Sequence, residues 1–206
     1  NILDISQIEQ GSLKIQYSLF NINNMIEDIL FLNKFRIEER KVQITFQNNA
    51  IQDIYSDAQR IHIILTNLIG NAIKFTKKGE ILITVENRDG RYLFSIKDSG
   101  IGIAPHLISR IFQDFTKGEL GYIREYEGIG LGLSICKKLV TLLGGKIWFE
   151  TKVDSGSTFY FDVPNTYDEA QELTQDVFES KCIPTDENTV RILIVDDDIT
   201  SLYYYK

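Results

Sequence analysis

NLIGNAIKFT, residues 67–76, is the stretch that decides the fold, because three of its polar residues repeat at helical spacing. At 100° per residue, Asn67, Asn71 and Lys74 fall within about 60° of one another on a helix. An amide carbonyl is an acceptable ligand for a hard cation such as Mg²⁺, and a lysine ammonium attracts phosphate. The three residues therefore predict a face that binds a cation and phosphates, with a merely solvated helix face as the alternative.

The same stretch closes a predicted helix over residues 57–75, with Ser56 or Asp57 as its N-cap. About a quarter turn from the polar face lies an apolar stripe made of Ile61, Ile64, Leu65, Leu68, Ala72 and Phe75. Periodicity elsewhere predicts helices over 21–39 and 131–143, a short helix near 105–112, and strands over 42–47, 80–87, 91–98, 146–151 and 157–163. The fold class predicted is α/β: a two-layer sandwich of a mixed, mostly antiparallel sheet with helices on one face.

A first glycine-rich segment, Asp98-Ser99-Gly100-Ile101-Gly102-Ile103, follows the predicted strand 91–98. An aspartate at the end of a strand can accept a hydrogen bond from an exocyclic amine. Alternate glycines let the backbone pass close to a flat ring. The segment therefore favours a nucleobase site, and an ordinary turn that contains Asp98 is the alternative when it is taken alone.

A second segment, Gly128-Ile129-Gly130-Leu131-Gly132-Leu133, lies directly before a predicted helix. Glycines there free backbone N–H groups to meet phosphate, and the helix dipole adds to the attraction. No strand leads into the segment and the Gly-x-Gly-x-x-Gly spacing is not met, which argues against a dinucleotide fingerprint. The Gly-Lys-Ser/Thr of a P-loop is also missing.

Composition excludes some functions and leaves others open. The net charge of −7 argues against a nucleic-acid partner. No apolar run approaches the roughly 18 residues of a membrane span, and no signal peptide precedes the domain. Because the chain begins at Asn1, we expect a fragment from the cytoplasmic side of a longer protein, which can itself be membrane-anchored.

Five motifs in order resemble the boxes of the histidine-kinase ATP-binding catalytic domain. They are the N box (67–76), the first glycine box (98–102), the F box (Phe112-Gln113-Asp114-Phe115), the second glycine box (128–133) and a shorter last box (Ser155-Gly156-Ser157-Thr158-Phe159). The resemblance covers roughly residues 1–163 and implies the Bergerat fold shared with gyrases, heat-shock chaperones and mismatch-repair ATPases. The last box departs from the family at Asp154, where a further glycine is common, and we expect its turn to survive.

The resemblance implies a role for each matching residue, with ATP and Mg²⁺ as the cofactors. Asn71 is the expected Mg²⁺ ligand, Lys74 a phosphate contact, and Asp98 the partner of the adenine amine. Residues 113–129 are the expected lid, and Lys117 and Arg124 are both candidates for its phosphate contact. The implied nucleotide-binding set is completed by Gly100, Ile101, Gly102, Gly128, Gly130, Leu131, Gly132, Leu133 and Thr158, the last through water at the adenine end.

Position 67 separates kinases from the ATPases of the same fold. Those ATPases usually carry a water-activating glutamate four residues before the metal-binding asparagine, and this chain has Asn67. An amide cannot take a proton at neutral pH, which favours transfer to another nucleophile.

His62 and His106 lack the context of a phosphoacceptor, so we expect a protein histidine kinase domain whose acceptor histidine lies outside this chain. An ATPase and a non-catalytic scaffold are the alternatives.

The flanking residues suggest a hybrid kinase. Residues 1–19 resemble the end of a dimerisation helix, 20–163 the catalytic domain, and 164–188 a linker. Within 189–206, the segment 191–198 resembles the start of a receiver domain, in which Asp196 and Asp197 would bind Mg²⁺. The implied partners are the parent's own dimerisation domain and a response-regulator receiver domain, and the implied parent is a homodimer.

Overall fold

The computed structural model describes residues 13–48, 51, 53–113 and 132–165. The strands are β1 (Ser18–Asn21), β2 (Val42–Asn48), β3 (Asp53–Ser56), β4 (Gly79–Arg88), β5 (Arg91–Asp98), β6 (Lys146–Lys152) and β7 (Gly156–Pro164). The helices are α1 (Ile22–Leu32), α2 (Lys34–Arg40), α3 (Ala58–Phe75) and α4 (Gly132–Leu142). None of these helices is long and apolar enough to cross a bilayer.

Five strands form the main sheet in the order β2-β4-β5-β7-β6. β2 runs parallel to β4, and the other three neighbouring pairs are antiparallel. Residues alternate along β5 and β7 between a buried face and a more exposed face. Helices cover the buried face, which confirms the predicted α/β sandwich with a mixed, mostly antiparallel sheet.

The core lies between α3 and this buried face. The helix buries Ile61, Ile64, Leu65, Leu68, Ile69, Ala72 and Ile73, so its apolar face is wider than the predicted stripe. On the sheet, the fully buried rings of Phe94 and Phe161 stack with their centroids 4.3 Å apart. The predicted end of the stripe, Phe75, is only half-buried.

The N-cap of α3 is Asp57, one of the two predicted residues. Its Oδ1 accepts a hydrogen bond from the backbone N–H of Arg60 at 3.1 Å. Its Oδ2 accepts one from the backbone N–H of Gln16 at 3.0 Å. The same carboxylate therefore begins the helix and holds the chain that leads into β1.

Two predictions about the N-terminal part differ from the structure. The single helix predicted over 21–39 is two helices, because Asn33 ends α1 and its side-chain amide donates to the carbonyl of Ile29 at 2.8 Å. Such local bonds let asparagine compete with the helical backbone. The periodicity also missed the short pair β1 and β3, which are antiparallel to each other. The predicted domain boundary between residues 19 and 20 falls inside β1.

The short helix predicted near 105–112 is a single 3₁₀ turn, Pro105–Leu107, followed by further turns. Proline at the first position suits the start of a helical turn. Bonds such as Leu107 N–H to the carbonyl of Ala104 and Arg110 N–H to Leu107 span three residues. The segment therefore turns tightly instead of continuing as an α-helix.

Candidate functional site

Three polar side chains form one row across the end of the sheet. The register pairs Asp98 of β5 with Ser157 of β7, and Ser157 with Thr151 of β6. Paired residues share a face, so all three lie on the face that α3 covers. The next rows on this face are apolar, beginning with Ile96 and Phe159. The polar row of Asp98, Ser157 and Thr151 therefore lies next to the apolar row that contains Ile96 and Phe159.

Asp98 is a buried carboxylate in which one oxygen accepts hydrogen bonds from the described backbone and the other does not. The residue is only 7% exposed. Oδ1 accepts hydrogen bonds from the backbone N–H groups of Gly100, at 2.8 Å, and Ser157, at 3.3 Å. Oδ2 has no hydrogen-bond partner among the described residues. Burial raises the pKa of Asp98 above its ordinary value, and the two backbone hydrogen bonds oppose that rise.

Glycines let three backbone segments meet around this carboxylate. A Cβ at Gly100 would overlap the carbonyl oxygen of Phe75, at the end of α3. A Cβ at Gly156 would overlap the carbonyl oxygen of Asp98, and its φ of +95° is one that glycine adopts readily. The close approach joins the end of α3, the end of β5 and the start of β7 into one junction.

The turn between β6 and β7 keeps its shape without a second glycine. Asp154 adopts a left-handed φ of +58°, a conformation that aspartate tolerates better than most residues. Its backbone N–H donates to the carbonyl of Ile101 at 2.9 Å. The turn therefore survives, as predicted, and it holds the loop of the first glycine-rich segment.

The polar face of α3 lies beside the same junction. Asn71, one turn before Phe75, is half-buried, and its amide makes no hydrogen bond with a described residue. Lys74 is half-buried, with its Nζ 5.1 Å from the centre of the Phe75 ring. No group of three acidic, histidine or cysteine side chains forms a complete metal site in the described ranges. A nucleotide-bound Mg²⁺ needs few protein ligands, however, and an available amide oxygen fits that need.

Asn67 connects this face of α3 to the start of α4. Its Nδ2 donates to the carbonyl of Ile63 at 2.8 Å, which fixes the amide. Its Oδ1 would lie 2.5 Å from a Cβ at Gly132, the first residue of α4. The N-terminus of α4, with its N–H groups, therefore lies directly beside the predicted phosphate face.

Comparison with known proteins identifies the domain. A family model described as "Histidine kinase-, DNA gyrase B-, and HSP90-like ATPase" matches residues 56–167, more than half of the chain. The chain belongs to this family. Histidine protein kinase 1 of Candida albicans is 40% identical over 169 residues, which are 79% of this chain and 7% of that protein. The chain spans 7% of the length of that protein and 24% of the length of another relative, the sensory/regulatory protein RpfC of Xanthomonas campestris.

Solved structures agree with this assignment to histidine kinases. Full-length ShkA in complex with AMPPNP matches with a TM-score of 0.70 and 29% identity, over 79% of this chain and 34% of that chain. ThkA in complex with the response regulator TrrA matches with a TM-score of 0.62 and 30% identity, over 80% of this chain and 47% of that chain. The domain is therefore the ATPase-family domain of histidine kinases, which act in two-component signal transduction.

Part of the kinase-type site lies outside the described residues. This holds for Lys117, Arg124, Gly128, Gly130 and Leu131 of the predicted lid and second glycine box, and for Asp196 and Asp197. Of the second glycine box, Gly132 and Leu133 are described, and Leu133 packs against the core. Of the F box, Phe112 is described and packs edge-on against Phe149 at 5.8 Å.

The structure places Thr158 on the face of the sheet opposite to Asp98 and Ser157. Alternation along β7 puts Thr158 on the face away from α3, where it pairs with Lys97. It lines a shallow cavity of about 240 Å³ together with Lys97, Asp98, Glu150, Thr151, Lys152, Ser155, Gly156 and Ser157. The lining combines outer-face residues such as Lys97 and Glu150 with Asp98 and Ser157 of the inner face, so the cavity lies at the end of the sheet.

Ser157 and Thr151 are polar neighbours of Asp98 that the sequence analysis did not single out as site residues. Ser157 contacts Asp98 through its backbone N–H, and its hydroxyl lies 2.9 Å from that of Thr151. The sequence carried a signal for Ser157, because it shares the period-two pattern of Phe159 and Phe161 in the same strand. Thr151 carried the same kind of signal, because it continues the alternation of Ile147 and Phe149 along β6.

Proposed function

We propose that the domain binds Mg²⁺-ATP and transfers the γ-phosphoryl group to a histidine of a dimerisation domain in the parent protein. The observation that carries this proposal is Asp98, whose Oδ1 is held by two backbone N–H groups while Oδ2 remains available. A buried carboxylate with a free oxygen is costly for a ligand-free protein. The AMPPNP complex of ShkA supports a nucleotide as the ligand that compensates that cost.

The base end selects for adenine. Oδ2 of Asp98 can accept a hydrogen bond from the exocyclic amine of adenine. Guanine and hypoxanthine carry a carbonyl oxygen at that position, and two acceptors facing each other repel. The row next to Asp98, made of Ile96 and Phe159, is apolar and buried, so the base would lie beside an apolar part of the core.

The phosphate end lies along α3 and the start of α4. Asn71 would hold Mg²⁺ through its amide oxygen, and Lys74 would contact the phosphates as a positive charge. The N–H groups at the start of α4, beside Asn67, would bind phosphate oxygens. When bound, the metal neutralises charge on the phosphates, while these residues orient the γ-phosphate.

Transfer to histidine fits the site better than hydrolysis does. The imidazole nitrogen of the acceptor would form a bond to the γ-phosphorus. The bond between the γ-phosphorus and the β–γ bridging oxygen would break at the same time, and ADP would leave. Water attack needs a base, and Asn67 is an amide that already donates to the carbonyl of Ile63. His62 and His106 lie within the domain itself, and neither is proposed as the acceptor.

The larger assembly is also part of the proposal. Residues 1–19 would end the dimerisation helix of a homodimeric parent, and 164–188 would link the catalytic domain to a receiver domain that begins within 189–206. There Asp196 and Asp197 would bind Mg²⁺. The complex of ThkA with the response regulator TrrA supports a receiver domain as a partner.

Calorimetry with Mg²⁺-ATP tests the binding proposal. The native chain should bind, Asn71→Ala should remove the magnesium-dependent part of the affinity, and Asn87→Ala on the exposed end of β4 is the matched control. Equal binding by both variants would reject the role of Asn71.

A longer chain with the upstream histidine should form acid-labile phosphate, whereas steady ATP hydrolysis by the isolated domain would favour an ATPase.

A further inference from the structure

Thr151 makes three hydrogen-bonding contacts through a single hydroxyl. Its Oγ1 accepts from the backbone N–H of Ile103 at 2.9 Å. It lies 3.2 Å from the carbonyl oxygen of Gly156 and 2.9 Å from the hydroxyl oxygen of Ser157. One side chain on β6 therefore contacts the loop of the first glycine box and the start of the last glycine box.

Counting donors assigns a direction to each bond when all three contacts are hydrogen bonds. A threonine hydroxyl has one hydrogen to donate and two lone pairs to accept with. The Gly156 carbonyl can only accept, so Thr151 donates its hydrogen there. The Ile103 N–H can only donate, which fills one lone pair of Thr151. The oxygen–oxygen distance alone allows either direction, and we assign Ser157 as the donor to the other lone pair because Thr151 then keeps its bond to the Gly156 carbonyl.

Ser157 can offer a ligand only hydrogen-bond acceptors. Because its hydroxyl hydrogen is donated to Thr151, the Ser157 oxygen presents only lone pairs. Ser157 is the cross-strand neighbour of Asp98, whose Oδ2 is also an acceptor. This edge of the site therefore consists of acceptors, which suits a ligand amine and disfavours a ligand carbonyl.

We propose that Thr151 is a positioning residue for base selection, an inference that rests on the proposed nucleotide-binding function. It holds Ser157 as an acceptor beside Asp98, and it holds the first glycine box through Ile103. Without its hydroxyl, Ser157 can rotate and donate to a carbonyl. Thr151 thereby strengthens the preference for a 6-amino purine over a 6-oxo purine without touching the base.

The test compares the affinities of the 206-residue chain for ATP and for inosine triphosphate, which has a carbonyl in place of the amine. Thr151→Val keeps the shape of the side chain and removes the hydroxyl. It should weaken ATP binding about tenfold and lower the ATP-to-ITP affinity ratio at least about fivefold. Thr151→Ser keeps the hydroxyl and should restore the ratio to within about twofold of the native value.

Thr84→Val is the matched control, because Thr84 forms a similar hydroxyl pair with Ser95 at 2.7 Å on the outer face. It should lower thermal stability and leave the nucleotide ratio unchanged. An unchanged ratio in Thr151→Val would overturn the positioning role while leaving ATP binding intact. Failure of the native chain to bind ATP would instead refute the proposed function.

A second variant keeps the proposal testable if Thr151→Val does not fold. Ser157→Ala removes the acceptor that Thr151 is proposed to orient and keeps the backbone N–H that binds Asp98. It should lower the ATP-to-ITP ratio in the same direction. A native ratio in Ser157→Ala would overturn the proposal.

Discussion

Replacing Asp98 with asparagine changes one atom of the proposed adenine contact. The variant keeps Oδ1 as an acceptor for the backbone N–H groups of Gly100 and Ser157. It replaces Oδ2 with an NH₂ group of nearly the same size, so the available acceptor becomes a donor. A donor facing the adenine amine removes the proposed hydrogen bond without opening a cavity.

The expected loss of affinity follows from the charge of the group. A hydrogen bond to a charged acceptor contributes about 1.5–3 kcal/mol. At about 1.4 kcal/mol for each tenfold change, Asp98→Asn should weaken ATP binding by about 10- to 150-fold. Folding should respond in the opposite direction. Burial raises the pKa of Asp98, which means that the site disfavours the charge, so the neutral amide should leave the ligand-free protein equally or more stable.

Acidification should act on the native protein as the substitution does. Because the pKa is raised in the folded state, the native protein binds a proton before the unfolded chain does as the pH falls. As the pH falls, the ligand-free protein should therefore become more stable, starting at pH values above 3.8, the ordinary pKa of aspartate. ATP binding should weaken over the same pH range. Asp98→Asn should lack both effects.

Isothermal calorimetry and thermal melting, each followed from neutral to acidic pH, measure these changes. A weaker ATP complex together with a retained or higher melting temperature is the expected pair of results. The reasoning about Asp98 is refuted if Asp98→Asn binds ATP within threefold of the native chain, about 0.65 kcal/mol. It is also refuted if the variant loses affinity only because the ligand-free protein melts much earlier.

Two further predictions concern backbone positions, and both are checked by chemical denaturation. Gly132→Ala would bring a Cβ to 2.5 Å from Oδ1 of Asn67, so the amide must rotate away from its bond to Ile63, which should destabilise the fold by about 0.5–1.5 kcal/mol. Gly70→Ala, with open space around its Cβ, is the control and should stabilise α3 by up to about 1 kcal/mol. Asp154→Gly should stabilise the β6–β7 turn by up to about 1 kcal/mol, because glycine adopts its left-handed φ without strain. In contrast, Gly156→Ala should destabilise, and a stability loss in Asp154→Gly would contradict the account of the turn.

Much of the fold was predictable because its signals are local. The apolar stripe of α3 and the alternation of β4, β5 and β7 each follow from the geometry of one element. The N-cap Asp57 was predictable for the same reason, since the bond that begins the helix spans only three residues. The break at Asn33 was not predicted, because the apolar pattern continues across it and a side-chain bond to Ile29 ends the helix.

The site was predicted less completely than the fold. Asn71 came from helical spacing, Asp98 and Gly100 came from a glycine-rich segment after a strand, and the resemblance added their roles. The described structure gathers them at the junction of α3 and β5. Thr158 was assigned from its place in a motif, although strand alternation turns it to the outer face. A motif gives the order of residues, whereas the face of a strand decides what each side chain can reach.

The amino-acid sequence by itself determined α3, α4 and the five strands of the main sheet, where glycine is needed, and that position 67 holds an amide and no base. Those properties depend on spacing and residue type within a few neighbours. Only the tertiary structure decided that Asp98, Ser157 and Thr151 form one row, because their contact depends on the register of three strands that are far apart in the chain. Strand register is a property of the packed sheet, and it sets which hydroxyl donates and which carboxylate oxygen stays available.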